Sequence, residues 1–309
     1  MGLLELFITA CMPVLNMLLV TGVGSFLATD SAGILGKEAR KHLNYVVFYV
    51  FNPALIATYL AKTIIMESLA KLWFMPVNVF FTFIFGLILG WIVIKVTGAP
   101  LKLRGLILGC CSAGNLGNIF LIIIPALCKE KGSPFGTPDV CQTYGLAYSS
   151  LSLAINGFII GGIPLIRNAL IGDDAPLRVL RESGELIGGA AVPSVTLIMG
   201  GNLITGMRGR ASVPPSVIAG VAVVRFVLLP LVGTALVNAA VRYGVIRPDP
   251  LYQFVLLLQY AVPPAMNIGT TTQLFGVGES ECSVIFVWVY ALASVAVTMW
   301  SAFFMWTLS

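Results

Sequence analysis

The chain has 309 residues, of which 58% are hydrophobic and only 10% are charged. Soluble domains carry about 25% charged residues, so these charges are too few to cover a water-facing surface, and lipid is the solvent that suits the outside. The net charge of +5 is spread over short hydrophilic breaks; no basic face of the kind nucleic-acid binding requires is present, which excludes nucleic acid as a partner.

A helix crossing the hydrocarbon core needs about 20 mostly apolar residues. The pattern predicts spans at 6–28, 43–65, 72–96, 104–128, 182–205, 215–242, 251–276 and 282–308. The first carries Glu5 in place of a basic start and has a long apolar core, so it reads as a retained span and not a cleaved leader. Arg225 falls inside 215–242. A charge at membrane depth is expected to face the protein interior, in a functional or a packing role.

The segment 141–171 fits neither one span nor two. As a single helix it would be about 46 Å long, against a hydrocarbon core of about 30 Å. Gly157, Gly161, Gly162 and Pro164 offer places to bend or break it. With the N-terminus on the non-cytoplasmic side, Lys37, Arg40, Lys41, Lys95, Lys102 and Arg104 face the cytoplasm. Lys62, Lys71, Lys129 and Lys131 face away, and the balance favours that orientation. Downstream, the basic residues favour one crossing by 141–171, nine spans in all, over two crossings and ten spans.

Six cysteines (Cys11, Cys110, Cys111, Cys128, Cys141 and Cys282) include no CxxC pair and no Cys/His ligand spacing, and they read as small apolar packing residues. The single histidine, His42, lacks companions for a metal site, so no metal and no cofactor are expected.

Two apolar segments carry unusual polar and helix-breaking content. One is Gly109-Cys110-Cys111-Ser112-Ala113-Gly114-Asn115-Leu116-Gly117-Asn118, followed by Pro125. The other runs from Gln259 through Pro263, Pro264 and Asn267 to Thr272. A Pro-Pro pair removes two backbone donors, so the helix must unwind there. Unwound backbone at membrane depth survives only where protein or water satisfies it. Asn115, Asn118 and Asn267 must likewise point inward. The two segments occupy matching places in the two halves, the best sequence pointer to a transporter's midplane site. The rival reading is kinked helices packed through small residues, with asparagine as interhelical glue. Asn52-Pro53 and Pro193 form a second matched pair of interruptions, and Gln142 and Tyr144 lie early in 141–171, within reach of the same cavity.

The stretch LYQFVLLLQYAVPPAMNIGTTTQLFGVGESE at 251–281 closely resembles the plant PIN-LIKES auxin carriers of the wider auxin efflux carrier group. So do FNPALIATYLAKTI at 51–64, GNLGNIFLIIIPALC at 114–128 and IGDDAPLRVL at 171–180. The resemblance implies an all-α polytopic membrane protein with a ten-helix inverted-repeat (5+5) transporter fold and broken crossover helices. It implies indole-3-acetic acid as substrate and the endoplasmic reticulum membrane as location. This sequence departs from the family at one place: YGLAYSSLSLA at 144–154 resembles the start of a fifth span, and NGFIIGGIPLIRNALIG at 156–172 the end of a sixth. Part of the fifth/sixth span region is missing near Ala154–Asn156. On this reading 1–154 is the N-terminal repeat and 155–309 the C-terminal repeat.

The expected function is therefore an auxin carrier controlling intracellular auxin accumulation and signalling. Asn115, Asn118 and Asn267, with Pro263 and Pro264, are expected to hold the carboxylate. Asn52 and Gln142 are expected to orient the ligand, and Ile119 and Val262 to pack the indole ring. Pro53, Gly114, Gly117, Pro125 and Pro193 are the expected helix breakers. No acidic pair lies mid-membrane, because Asp30, Asp139, Asp173, Asp174 and Asp249 read as loop residues, so uniport is favoured over tight ion coupling. Two rivals stay open: a sodium-coupled organic-anion symporter, and a non-transporting membrane regulator. A homodimer also stays open. No HExxH or GxSxG motif points to an enzyme.

Overall fold

A computed structural model describes residues 3–63, 72–116, 118–129, 133–151, 178–208, 213–266, 268–269, 272 and 278–308. Among them every regular element is helical. In chain order these are α1 (Leu3–Leu27), α2 (Lys37–Val46), α3 (Asn52–Thr63), α4 (Phe74–Thr97), α5 (Leu101–Ser112), α6 (Asn118–Lys129) and α7 (Pro138–Leu151). There follow α8 (Arg178–Gly189), α9 (Ala191–Arg208), α10 (Pro215–Val223), α11 (Leu229–Arg242), α12 (Pro250–Ala261) and α13 (Glu279–Leu308). Four stretches of the described residues are long and apolar enough to cross a membrane: Phe74–Thr97, Glu182–Ile204, Pro215–Arg242 and Glu279–Leu308. The expected join near residue 154 lies outside the described residues.

The outside of the bundle carries large apolar side chains, among them Leu19, Phe26, Phe80, Trp91, Trp288 and Trp306. Lipid accepts such a surface, whereas water would penalise it. The interior is closed by small residues. A Cβ at Gly24 would lie 2.3 Å from Leu197 O, and one at Gly200 would lie 2.1 Å from Thr21 O, so α1 and α9 touch backbone to backbone. Ser25 Oγ also donates to Gly200 O at 2.9 Å. Close approach of this kind is what glycine supplies in lipid, where no hydrophobic force drives helices together.

The prolines act through the carbonyl four residues back, which each leaves without its helical donor. Asn52-Pro53 does not cut its span. The turn Val47–Phe51 widens to a π-helix and the chain runs on through Pro53. Pro193 withholds a donor from Gly189, and the break falls there, between α8 and α9 at Ala190. Pro230 follows a second π-turn, Val224–Leu228, and the carbonyl it deprives, that of Phe226, accepts instead from Trp300 Nε1 at 2.8 Å. The helix α6 passes through Pro125 without a break.

Contacts between helix ends show which of them share a face. Lys37 and Lys102 pair with Glu279 and Glu281 at 3.6 and 3.7 Å, and Arg40 Nε donates to Asn202 Oδ1 at 3.1 Å. The starts of α2, α5 and α13 therefore lie together with the end of α9. On the opposite face, Tyr252 at the start of α12 reaches Leu72 O at 3.4 Å. There too a disulfide joins Cys128 at the end of α6 to Cys141 in the first turn of α7. These two cysteines are a cross-link, not the simple packing residues their spacing suggests, because folding brings the two helix ends together. Since α8 and α9 run on one from the other, α7 and α8 both start on this second face. The segment 152–177, on which the choice between nine and ten spans turns, lies outside the described residues.

Replacing Gly200 by Leu is expected to force α1 and α9 apart and destabilise the protein by about 1–3 kcal/mol. A lower melting temperature in detergent, with Gly200→Ala less affected than Gly200→Leu, is the measurement.

Candidate functional site

Both broken segments leave the helix in the same way. The residue after α5, Ala113, takes φ −82 and ψ 107, and the residue after α12, Val262, takes φ −84 and ψ 151. The two short extended stretches then lie antiparallel across one another, with Gly114 paired to Pro264. Asn115 N donates to Pro263 O, and Ala265 N donates to Ala113 O, both at 2.9 Å. Neither proline has an N–H to give, so the pairing uses the nearest groups that remain: a proline carbonyl and the amide just past the pair. Helical turns resume after the crossing, with α6 from Asn118 and with Ile268 N bonded to Ala265 O.

The final helix buttresses the crossing. Asn115 Nδ2 donates to Tyr290 Oη at 3.2 Å, and Tyr290 Oη donates to Pro264 O at 2.5 Å. One hydroxyl thus ties the side chain of one broken segment to the backbone of the other. All three residues are buried. A second polar cluster holds α12 just before its break. Asn78 Nδ2 donates to Gln259 Oε1 at 2.7 Å and to Leu256 O at 3.1 Å, and Tyr260 Oη donates to Asn78 Oδ1 at 3.1 Å. Room for the Tyr260 ring comes from Gly233, where a Cβ would stand 2.3 Å from the ring.

A cavity of about 290 Å³ opens beside the crossing, near the lower end of ordinary small-ligand sites. Its walls come from α1 (Val14, Met17, Leu18), α6 (Ile119, Ile123), α9 (Met199, Leu203) and α13 (Tyr290, Ala293, Val297), with Pro263 at the crossing itself. The lining is apolar except for a few hydroxyls. Of these, Thr21 Oγ1 and Ser25 Oγ are already bonded to the carbonyls of Met17 and Gly200.

Of the residues singled out in the sequence, Gly114, Asn115, Pro263 and Pro264 meet at the crossing, and Ile119 lines the cavity. Val262 is fully buried against Gly114 and does not line it. Asn52 and Gln142 sit on the neighbouring helices α3 and α7 and are not among the residues lining it. Asn118 opens α6, but its side chain, like all of Gly117 and Asn267, lies outside the described residues. Sequence reading missed Tyr290 and Asn78, and it took Gln259 only as the start of the second broken segment. A lone tyrosine in an apolar run reads as an interfacial anchor, and only the fold shows that this one reaches the crossing.

The architecture is that of a polytopic helical membrane protein of transporter type. The model of the family described as membrane transport protein matches residues 9–161 and 154–301. Protein PIN-LIKES 1 of Arabidopsis thaliana is 47% identical over 382 aligned positions, which cover 99% of this chain and 81% of that protein. Protein PIN-LIKES 3 of Arabidopsis thaliana is 46% identical, covering 98% of each chain. Protein PIN-LIKES 4 of Arabidopsis thaliana is 42% identical, covering 99% of each. No solved structure matches the chain. The chain belongs to the membrane transport protein family, and within it to the PIN-LIKES group. The alignments are longer than this chain, so those relatives have positions with no counterpart here. The two matched stretches overlap at the place where the sequence reading puts the join.

Tyr290→Phe removes the hydroxyl and leaves Asn115 Nδ2 and Pro264 O buried without it, at an expected cost of about 1–3 kcal/mol. A thermal-melting comparison with Phe286→Leu, an apolar change on the same helix, separates that loss from general repacking.

Proposed function

We propose that this protein is an auxin carrier that moves indole-3-acetic acid, a small aromatic carboxylate, through the membrane of the endoplasmic reticulum and so sets intracellular auxin levels. The observation that carries the reading is the coincidence of the crossing with the cavity. Pro263 and Tyr290 belong to both, and Asn115 is one hydrogen bond from Tyr290. Freed backbone N–H groups where helices resume attract a carboxylate. The apolar walls suit an aromatic ring, with Ile119 among the residues in place to pack it. Asn115 and Tyr290 hold the carboxylate. Asn118 and Asn267, which follow the crossing residues in the sequence, complete the set in this proposal, while Asn52 and Gln142 have no part in it.

The proposed architecture is the ten-helix inverted repeat, shortened in the fifth/sixth span region. Its support is the matched order of elements: a span distorted or broken ahead of its proline (α2–α3, α8–α9), a span (α4, α10–α11), a broken span (α5–α6, and α12 onward) and a following helix (α7, α13). The shared faces described above agree with it. The Cys128–Cys141 disulfide supports the location, since disulfides persist in oxidising compartments and are rare in the cytosol. It lies on the face opposite Lys37, Lys41 and Lys102, so that face becomes the lumen and the basic one the cytoplasm. With no mid-membrane acidic pair read from the sequence, transport is uniport. The potential acting on the ligand's own charge contributes about 2.3 kcal/mol per 100 mV.

The test is uptake of radiolabelled indole-3-acetic acid into vesicles holding the purified protein. Asn115→Ala is expected to lower the rate by roughly tenfold or more, as befits a hydrogen bond to a charged group. Full uptake by Asn115→Ala would remove that residue from the mechanism. Uptake that requires sodium would favour the symporter reading, and none by wild type the regulator.

A further inference from the structure

Arg225 is completely buried, in the π-turn Val224–Leu228. Its Nε donates to Cys110 O at 2.7 Å. That carbonyl belongs to the last turn of α5, where carbonyls have no donor of their own. This one contact explains a cap on the helix end. It does not explain the rest of the side chain. Nη1 and Nη2 are buried and have no hydrogen-bond partner. Among the described residues no carboxylate pairs with the guanidinium.

The direction of the fork is given by Gly114. A Cβ built there would lie 3.2 Å from Arg225 Nη1 and 3.1 Å from Val262 Cγ2. Nη1 therefore faces the crossing at the very residue paired with Pro264, and the absence of a side chain at Gly114 lets it approach. Four N–H groups of a buried guanidinium left without acceptors cost several kcal/mol. A lysine would give the same single cap with fewer donors to satisfy. An arginine placed here has two parallel donors to spare, the geometry that matches a carboxylate.

We propose that Arg225 is the anion-selecting residue of this carrier. When the crossing segments part around the ligand, Nη1 and Nη2 take its carboxylate in a bidentate pair, while Nε keeps its hold on the end of α5. Asn115 and Tyr290 meet the same group from the cavity side. This assignment rests on the carrier reading above and deepens it: the charge of the ligand, and not only its shape, is read at the crossing.

The experiment compares binding of radiolabelled indole-3-acetic acid and indole-3-acetamide, its uncharged near-isostere, to purified protein. Wild type is expected to prefer the acid by about tenfold or more. Arg225→Lys keeps a charge and a donor for Cys110 but lacks the fork. It is expected to lose about tenfold in affinity for the acid and less than about twofold for the amide. Arg225→Gln is expected to bind the two within about twofold of one another. Wild-type behaviour of Arg225→Lys towards both ligands overturns the assignment, as does a full preference for the acid in Arg225→Gln. Equal loss of both ligands together with a lowered melting temperature, or failure of both variants to fold, reduces Arg225 to a helix cap and also overturns it. Wild type binding neither ligand sinks the carrier reading itself, which the wild-type measurement alone reveals.

Discussion

Two helices are cut open in a medium that does not tolerate cut helices, and the exchange of backbone hydrogen bonds at Gly114 and Pro264 is what makes this possible. Each broken end leaves carbonyls without donors, and each new start leaves N–H groups without acceptors. In hydrocarbon each such group costs several kcal/mol. The crossing answers some of them with the other broken segment, through Asn115 N to Pro263 O and Ala265 N to Ala113 O. Each segment satisfies backbone groups of the other, which ties together the two parts of the chain that carry them.

The surrounding residues serve that crossing. Tyr290 ties both segments to the last helix. Asn78 and Gln259 anchor the helix that leads into the second break, and Arg225 caps the helix that leads into the first. The π-turns fit the same scheme. One of them carries Arg225, and the carbonyl freed by Pro230 is answered by Trp300, so the distortion that places the guanidinium has its own hydrogen bond. Small residues let the bundle close around these polar contacts: Gly24 against Leu197, Gly233 against Tyr260.

The cavity inherits its chemistry from this arrangement. Its walls are apolar side chains of α1, α6, α9 and α13. Its polar end is Tyr290, one hydrogen bond from Asn115, with the freed helix ends close by. The proposed ligand, with a flat apolar body and one charged end, is of the kind that apolar pockets with a few polar groups take. Binding the charged end must compete with the hydrogen bonds that hold the crossing shut, so binding and opening of the crossing are coupled in this scheme.

The sequence by itself determined the solvent, four of the predicted spans (72–96, 182–205, 215–242 and 282–308) and the two break points. Apolar run length, the Pro-Pro pair and the Gly/Asn-rich stretch are local signals, and local chemistry dictates their outcome. It also pointed to Arg225 as a residue that had to face inward, but not to what it faces. The tertiary structure decided the rest: that Gly114 pairs with Pro264, that Tyr290 and Arg225 converge there, that Asn52 and Gln142 do not line the cavity, and that Cys128 meets Cys141. It also turned three proline signals into something other than a break at the proline: the helix widens ahead of Pro53, breaks at Ala190 ahead of Pro193 and runs on through Pro125. The physical reason is separation along the chain. Asn115 and Tyr290 stand 175 positions apart, and no periodicity or spacing in either stretch encodes the partner that packing alone supplies.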